Sequence, residues 1–438
     1  MTMCVPCAAS AGAARPAPSS AAARGRSAVR AVQAALTALA LTACTAQVHV
    51  IRVVPAGTAE RTPATTARAL HQLVDDGAPG AASLITREGR SGASRFSTAG
   101  VADVRSGRRM GVADHFRAGS LTKPLVATVV LQLVAEGELS LSDTVAAHLP
   151  PGVPTTGKGG GDLRKVTIRQ LLDHTSGLFN YTEDPRLSRQ LAGTGFDAHR
   201  YDSHPPAELL RIALSHPPSA ARGAPGAVPR SPEGRSRKGR GRAPSGSRGS
   251  APFAYSNTNY LVLGLVIEAV TGHPYATEIR RRIPVGLDST SFPGTDPTLP
   301  KPHGRAYAQI GDRRVDATSL DPSRAGAAGE MITTLGDLNR FFSALLGGRL
   351  LPPRQMAQLR GEKRADGTYG LGLYSTELPC GVTVWGHNGD INGSYVQSAG
   401  TADGRHLVSY RVNTDALTDP GHGTAVLTAE FCAARRRR

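Results

Sequence analysis

Several things are scarce in this chain of 438 residues. Five cysteines are too few to staple a protein of this length, which excludes a disulfide-dense scaffold. The apolar run at 31–43 falls short of the roughly 20 residues that a membrane-spanning helix needs. Lysine is rare, 6 against 45 arginines, a bias that GC-rich coding produces without any ligand. Acidic residues are missing where the net charge of +17 resides. Residues 1–50 have no acid and carry +4, residues 217–250 have one and carry +7, and 435–438 add +4, leaving about +2 for the remainder. A nucleic-acid binder needs its basic charge on folded surface. Here the folded part is nearly neutral, and RSRKGRGR at 235–242 reads as a solvated loop rather than a nucleic-acid site.

What is present opens with the pattern of an export signal. Arginines through Arg30, the apolar run and small residues after it form an export signal over 1–50. Two readings of its end stay open: lipidation at Cys44, or cleavage after Ala46 with Cys44 discarded. Cys4 and Cys7 form a lone C-x-x-C in that leader, with no second pair to complete a metal site. Export places Cys380 and Cys432 in an oxidising compartment, where a disulfide between them would tie the C-terminal helix to the sheet.

From about residue 62 the pattern is globular. ATTARALHQLVDDG has the spacing of an amphipathic helix, and AASLITREG and ASRFSTAGVAD read as strands. Residues 124–136 are apolar nearly all round, so their helix is central and buried. Helices are also expected at 261–270, 335–346 and 424–434, and strands at YGLGLYS, GVTVWGH, SYVQSAG and HLVSYRVN. The pattern predicts an α+β protein: an antiparallel sheet flanked by N- and C-terminal helices, plus a mostly helical subdomain. Residues 217–250, rich in Pro, Gly, Ser and Arg, have the composition of a disordered insertion.

The sharpest chemical signal is Ser120-Leu-Thr-Lys123 opening the buried helix. Residues i and i+3 share a helix face, so the lysine amine reaches the serine oxygen. Pro124 belongs in a first turn, which starts the helix near Ser120, at the positive end of its dipole. Two further motifs keep it company: Tyr255-Ser-Asn257 before an apolar helix, and His387-Asn388-Gly389 after a strand. Serine, lysine and tyrosine together suit acyl transfer, because the nucleophile needs a base and free tyrosine, with a pKa of about 10, is too weakly acidic to serve unaided. A neighbouring ammonium is expected to lower that pKa. Asn257 would orient the lysine or bind a substrate amide. A small residue after His387 would let substrate backbone lie along the strand.

At these residues the chain resembles the penicillin-recognising serine hydrolases of the class C beta-lactamase and D-alanyl-D-alanine carboxypeptidase type. The likeness runs over 62–432 and extends to EGELSLSD at 136–143, VTIRQLLDHTSG at 166–177 and MITTLGD at 331–337. It implies a cleft between sheet and helical region. In that cleft Ser120 is the acylated nucleophile, Lys123 its activating partner and Tyr255 the general base and later acid, with Asn257, His387, Asn388 and Gly389 at the substrate. Backbone N–H groups of Ser120 and of a residue after Gly389 would hold the oxyanion. His174 falls in a structural segment. The resemblance implies neither cofactor nor metal.

The third motif bears on substrate. His387 in place of lysine leans away from beta-lactamase, and Asn388 departs from the usual Thr or Ser, although its amide can still donate. A carboxypeptidase also wants a cation for the terminal carboxylate, and no Lys or Arg lies between Arg364 and Arg405. The leading expectation is an exported serine hydrolase of D-alanyl-D-alanine carboxypeptidase type acting on cell-wall peptides. An esterase or weak beta-lactamase on the same scaffold is the alternative, and a penicillin-binding-like receptor without turnover is the reading of another class. Expected partners are a D-amino-acid peptide, ester or beta-lactam, no nucleic acid, and an anionic cell-envelope surface through 217–250. A basic tail, 433–438, closes the chain.

Overall fold

The computed structural model describes residues 64–88, 94–219, 252–361, 369–417 and 422–433. The expected export signal with Cys4, Cys7 and Cys44, most of the basic insertion and the arginine tail lie outside the described residues.

In chain order the strands are β1 (Gly80–Arg87), β2 (Ser94–Gly100), β3 (Phe116–Arg117), β4 (Tyr307–Ile310), β5 (Arg313–Asp316), β6 (Ile332–Thr333), β7 (Tyr374–Glu377), β8 (Thr383–Ile391), β9 (Ser394–Gly400) and β10 (His406–Val412). The helices are α1 (Ala64–Asp75), α2 (Thr122–Glu136), α3 (Ile168–Leu172), α4 (Pro185–Leu191), α5 (Phe196–His199), α6 (Pro206–Ser215), α7 (Asn257–Thr271), α8 (Tyr275–Arg282), α9 (Leu335–Leu346), α10 (Pro353–Arg360) and α11 (His422–Phe431).

Six strands form one antiparallel sheet in the order β2-β1-β10-β9-β8-β7. The first strand of the sheet in chain order, β1, pairs with the last, β10. Alternation along a strand sends successive side chains to opposite faces, and β1 shows the consequence. Ile85 joins Leu70 and Leu73 of α1, Val408 of β10, and Val426 and Leu427 of α11 in one core. Leu84 joins Leu338 and Phe342 of α9 in the other. Cys380, before β8, and Cys432, after α11, are bonded with Cα atoms 5.7 Å apart, clamping the last helix to the sheet.

Between β2 and β7 the chain builds the helical lobe around α2, most of whose residues are buried. Local chemistry marks its borders. Thr167 and Gln170 form a reciprocal capping box on α3, and Gly137 ends α2 in the left-handed conformation. A two-residue Asn392-Gly393 turn joins β8 to β9, with Gly393 at φ 74°. Asn392 Nδ2 donates to Leu191 O at the end of α4 (3.0 Å), fastening the hairpin tip to the helical lobe.

Two expectations shift. The segment YGLGLYS supplies a strand only from Tyr374, because 370–373 turn through Gly372 at φ 88°. Helix α2 begins at Thr122, and Ser120 sits in the 3-10 turn Gly119–Leu121 ahead of it.

Candidate active site

The turn that carries Ser120 packs backbone to backbone on β8. A Cβ on Gly389 would stand 1.8 Å from Ala118 O, and one on Gly119, whose φ is +52°, would stand 2.8 Å from Asp390 N. Only glycine permits this approach from either side. It sets the backbone of the Ser120 turn beside that of Asp390, the residue following Gly389.

Ser120 is half-buried, and its Oγ takes two contacts: Lys123 Nζ at 2.9 Å and the Tyr255 hydroxyl, which donates at 2.9 Å. Lys123 is fully buried. Its Nζ also donates to Asn257 Oδ1 (2.8 Å) and to Ala328 O (2.7 Å). Both of those oxygens are acceptors only. The three contacts fit an ammonium donating to all three oxygens, and equally a neutral amine that donates to Asn257 and Ala328 and keeps its lone pair for the Ser120 hydroxyl proton.

Burial favours the second arrangement. It pushes Lys123 well below the ordinary lysine range, with no carboxylate to oppose it. Burial also pushes Tyr255 well above the usual phenol value, against the smaller opposing effect of its bond to Ser120. This corrects the expectation of a phenol acidified by an ammonium: desolvation sets the direction for Tyr255, although Nζ lies 4.9 Å from the Tyr255 ring centre. The phenol is held as a donor, and burial favours the amine over the ammonium.

Asn257 opens α7, and its backbone N–H donates to Asn180 Oδ1 (3.1 Å). Asn180 Nδ2 in turn donates to the exposed carboxylate of Glu183 (3.3 Å). His174, at φ 57° the only non-glycine residue with positive φ among the described residues, lies beneath Tyr255 with ring centres 4.3 Å apart. Its Nδ1 receives Ser256 N–H (3.2 Å) and Asn259 Nδ2 (3.0 Å).

The third motif is placed differently from expectation. His387 is 2% exposed, and its Nε2 meets the Tyr369 hydroxyl at 3.0 Å. This corrects the assignment of its ring to the substrate: the imidazole is spent on internal partners, and burial lowers its pKa to about 3. Asn388 is half-buried, and its Oδ1 accepts from Tyr374 Oη (3.1 Å), which fixes the amide end that can donate. Gly389 acts through the missing Cβ. Tyr369, Tyr374, Ala328, Asn180 and Glu183 escaped sequence reading. Only the two tyrosines in the Gly/Leu-rich stretch YGLGLYS offered a signal.

A serine, a buried lysine amine at i+3 and a phenol meet on one oxygen between sheet and helices, the constellation of an active-serine hydrolase. Residues 66–430 match the family model described as Beta-lactamase, and the chain belongs to that family of penicillin-recognising serine hydrolases. A D-stereospecific amidohydrolase from a Streptomyces species is 38% identical, with a TM-score of 0.72 over 85% of this chain and 99% of that one. Esterase EstB of Burkholderia gladioli is 33% identical over 50% of this chain and 48% of its own length. Penicillin-binding protein 4 of Amycolatopsis lactamdurans is 26% identical over 64% of this chain and 67% of its own. The chain spans about half the length of the first curated relatives it matches.

Proposed function

We propose that the protein hydrolyses amides of D-configured amino acids and short peptides through an acyl-enzyme on Ser120. The observation that carries this reading is the convergence of Lys123 Nζ and Tyr255 Oη on Ser120 Oγ, each at 2.9 Å, with the other two bonds of Lys123 committed elsewhere.

Lys123 takes the Ser120 proton as Oγ attacks the substrate carbonyl. The oxyanion forms against the N–H groups of Ser120 and Asp390, donors of a kind whose loss costs about 3–4 kcal/mol of barrier. Tyr255 hands its proton to the departing nitrogen, and the Lys123 ammonium restores that proton, leaving an ester on Ser120 and both groups neutral. Water then enters the leaving group's place. It gives its proton to the Tyr255–Lys123 pair as Ser120 Oγ regains one, and the acid departs.

Amide over carboxypeptidase is favoured by charge. β7 and β8 carry no Lys or Arg for a terminal carboxylate. The exposed Glu183 carboxylate, linked through Asn180 to Asn257, suits the ammonium of an amino-acid amide. The amidohydrolase likeness supports the same choice, while the esterase likeness supports ester turnover by the same acyl-enzyme. We also read the chain as exported, which the Cys380–Cys432 bond supports.

Intact mass after fluorophosphonate treatment should show one adduct on the wild type and none on Ser120→Ala. Release of ammonia from D-phenylalanine amide should then exceed release from the L-amide and release of D-alanine from an acyl-D-Ala-D-Ala peptide. No adduct overturns the acyl-enzyme. An adduct with faster D-alanine release restores the carboxypeptidase reading, and a beta-lactam adduct that persists without any turnover points to the receptor.

A further inference from the structure

The buried hydrogen bonds behind the cleft have only one consistent direction. Ser256 N–H and Asn259 Nδ2 both point at His174 Nδ1, and Asn259 Oδ1 is itself held by Ser176 Oγ (2.6 Å), which fixes the orientation of the amide. His174 Nδ1 is therefore unprotonated and its proton sits on Nε2, 3.3 Å from Tyr369 Oη. At the other end His387 Nδ1 faces the Asn388 carbonyl, an acceptor, so that nitrogen carries the proton and Nε2 carries a lone pair. The bond between Tyr369 Oη and His387 Nε2 at 3.0 Å then has the phenol as donor. Tyr260, the other phenol beside His174, gives its proton to Leu172 O (3.0 Å). Every group on the path is neutral, buried and committed.

We propose that Tyr369 is a positioning residue for the reaction, acting through His387 to hold the backbone that follows it on β8. The path joins the two sides of the cleft. His174 lies under Tyr255, the proton donor of the helical side. His387 bonds the Asn388 carbonyl, one peptide ahead of Gly389 and the Asp390 N–H. Tyr369 is the hydroxyl between them. Reacting groups must keep their geometry within about half an ångström to function, and misplacement by about 1 Å costs of the order of a hundredfold in rate. Tyr374 is the internal comparison: it is a half-buried phenol on the same segment whose ring packs near Tyr369 and His387 but whose hydroxyl donates to the Asn388 side chain.

This inference rests on the acyl-enzyme reading, and its test separates the two. Tyr369→Phe removes one oxygen. Fluorophosphonate labelling of Ser120 should remain stoichiometric, which checks the nucleophile and the fold. The turnover number with a D-amino-acid amide should fall roughly tenfold to a hundredfold while KM changes less than about threefold. In ¹⁵N-histidine spectra the wild type should show His174 protonated on Nε2 and His387 on Nδ1, and the variant should shift the His387 Nε2 resonance toward that of an unbonded nitrogen. In a His387→Leu background, the same tyrosine change should cost less than twofold, because its route has gone. Turnover within twofold of wild type, an unmoved His387 Nε2 resonance, or a full-size loss in the His387→Leu background overturns the proposal. Loss of labelling together with loss of the folded spectrum shows a packing role for Tyr369 and overturns it as well. Failure of labelling in the wild type would instead remove the acyl-enzyme itself.

Discussion

Glu430 and Lys123 are both buried ionisable side chains, and their surroundings treat them in opposite ways. Around Glu430, behind the sheet, stand Thr66 Oγ1 (2.9 Å), Arg95 Nη2 (3.0 Å), His406 Nε2 (3.2 Å) and Arg87. Burial alone would raise its pKa. Hydrogen bonds from His406 and Thr66, with the charges of Arg87 and Arg95, outweigh that and bring it down to about 2. Lys123 has no ion of opposite charge within hydrogen-bond reach. It meets a hydroxyl, an amide oxygen and a backbone carbonyl. One burial is compensated and fastens the terminal helices to the sheet; the other is left uncompensated, which suits the base that we propose. Compensation separates a structural charge from a chemical one, and burial by itself does not.

Breaking the chemical side should give the largest effect. Lys123→Met should slow acylation of Ser120 by about 10³-fold, within the range of general-base loss, as measured by stopped-flow release from an activated ester. Its melting temperature should hold or rise at pH 7. In the unfolded chain the lysine is protonated below about 10.4, and burial lowers its folded pKa well below that, so the buried lysine opposes folding at pH values below the unfolded one. That cost falls as pH rises toward the unfolded value, and methionine abolishes it. A clear drop in melting temperature would mean that Lys123 is a structural charge after all.

Gly389→Ala comes next. Its Cβ would meet Ala118 O at 1.8 Å, so β8 must withdraw from the nucleophile turn. Turnover should fall about a hundredfold while circular dichroism stays that of the wild type. Unchanged turnover would detach β8 from the chemistry.

The structural side should respond in the other currency. Glu430→Gln should cost about 3–5 kcal/mol in urea unfolding, because it strands two arginines beside a neutral amide, and should leave turnover within twofold. Its pH dependence has a definite sign. The folded pKa is depressed, so the stabilisation is present above about 4.3, the unfolded value, and is lost as pH falls through the folded value of about 2. Wild type and variant should therefore converge in stability in acid. The smallest effect is expected from Cys380→Ser with Cys432→Ser, roughly 2–4 kcal/mol of stability, with turnover unchanged.

Much of this was legible in the sequence, for reasons particular to each feature. Ser120 and Lys123 are three residues apart, and the shared face of a helical turn makes their meeting a local matter. Alternating strands and amphipathic ends fixed the sheet and its covering helices, because each pattern repeats within a few residues. The site's back wall was not legible. Tyr369 reaches His174 from 195 positions away, and no local spacing encodes that contact. The protonation order was not legible either. An ammonium beside a phenol argues for an acidified phenol until the burial of both is known, and burial reverses it.

The central claim is that Lys123 is a neutral amine that deprotonates Ser120, with Tyr255 as the donor. The pH dependence of kcat/KM for an uncharged D-amino-acid ester tests it most directly. The expected result is a single acid limb well below the ordinary lysine range and a flat rate from neutral pH to pH 10, with Tyr255→Phe keeping the same limb at a lower plateau. A rate that climbs about tenfold per pH unit toward the pKa of a free amine or phenol would contradict it.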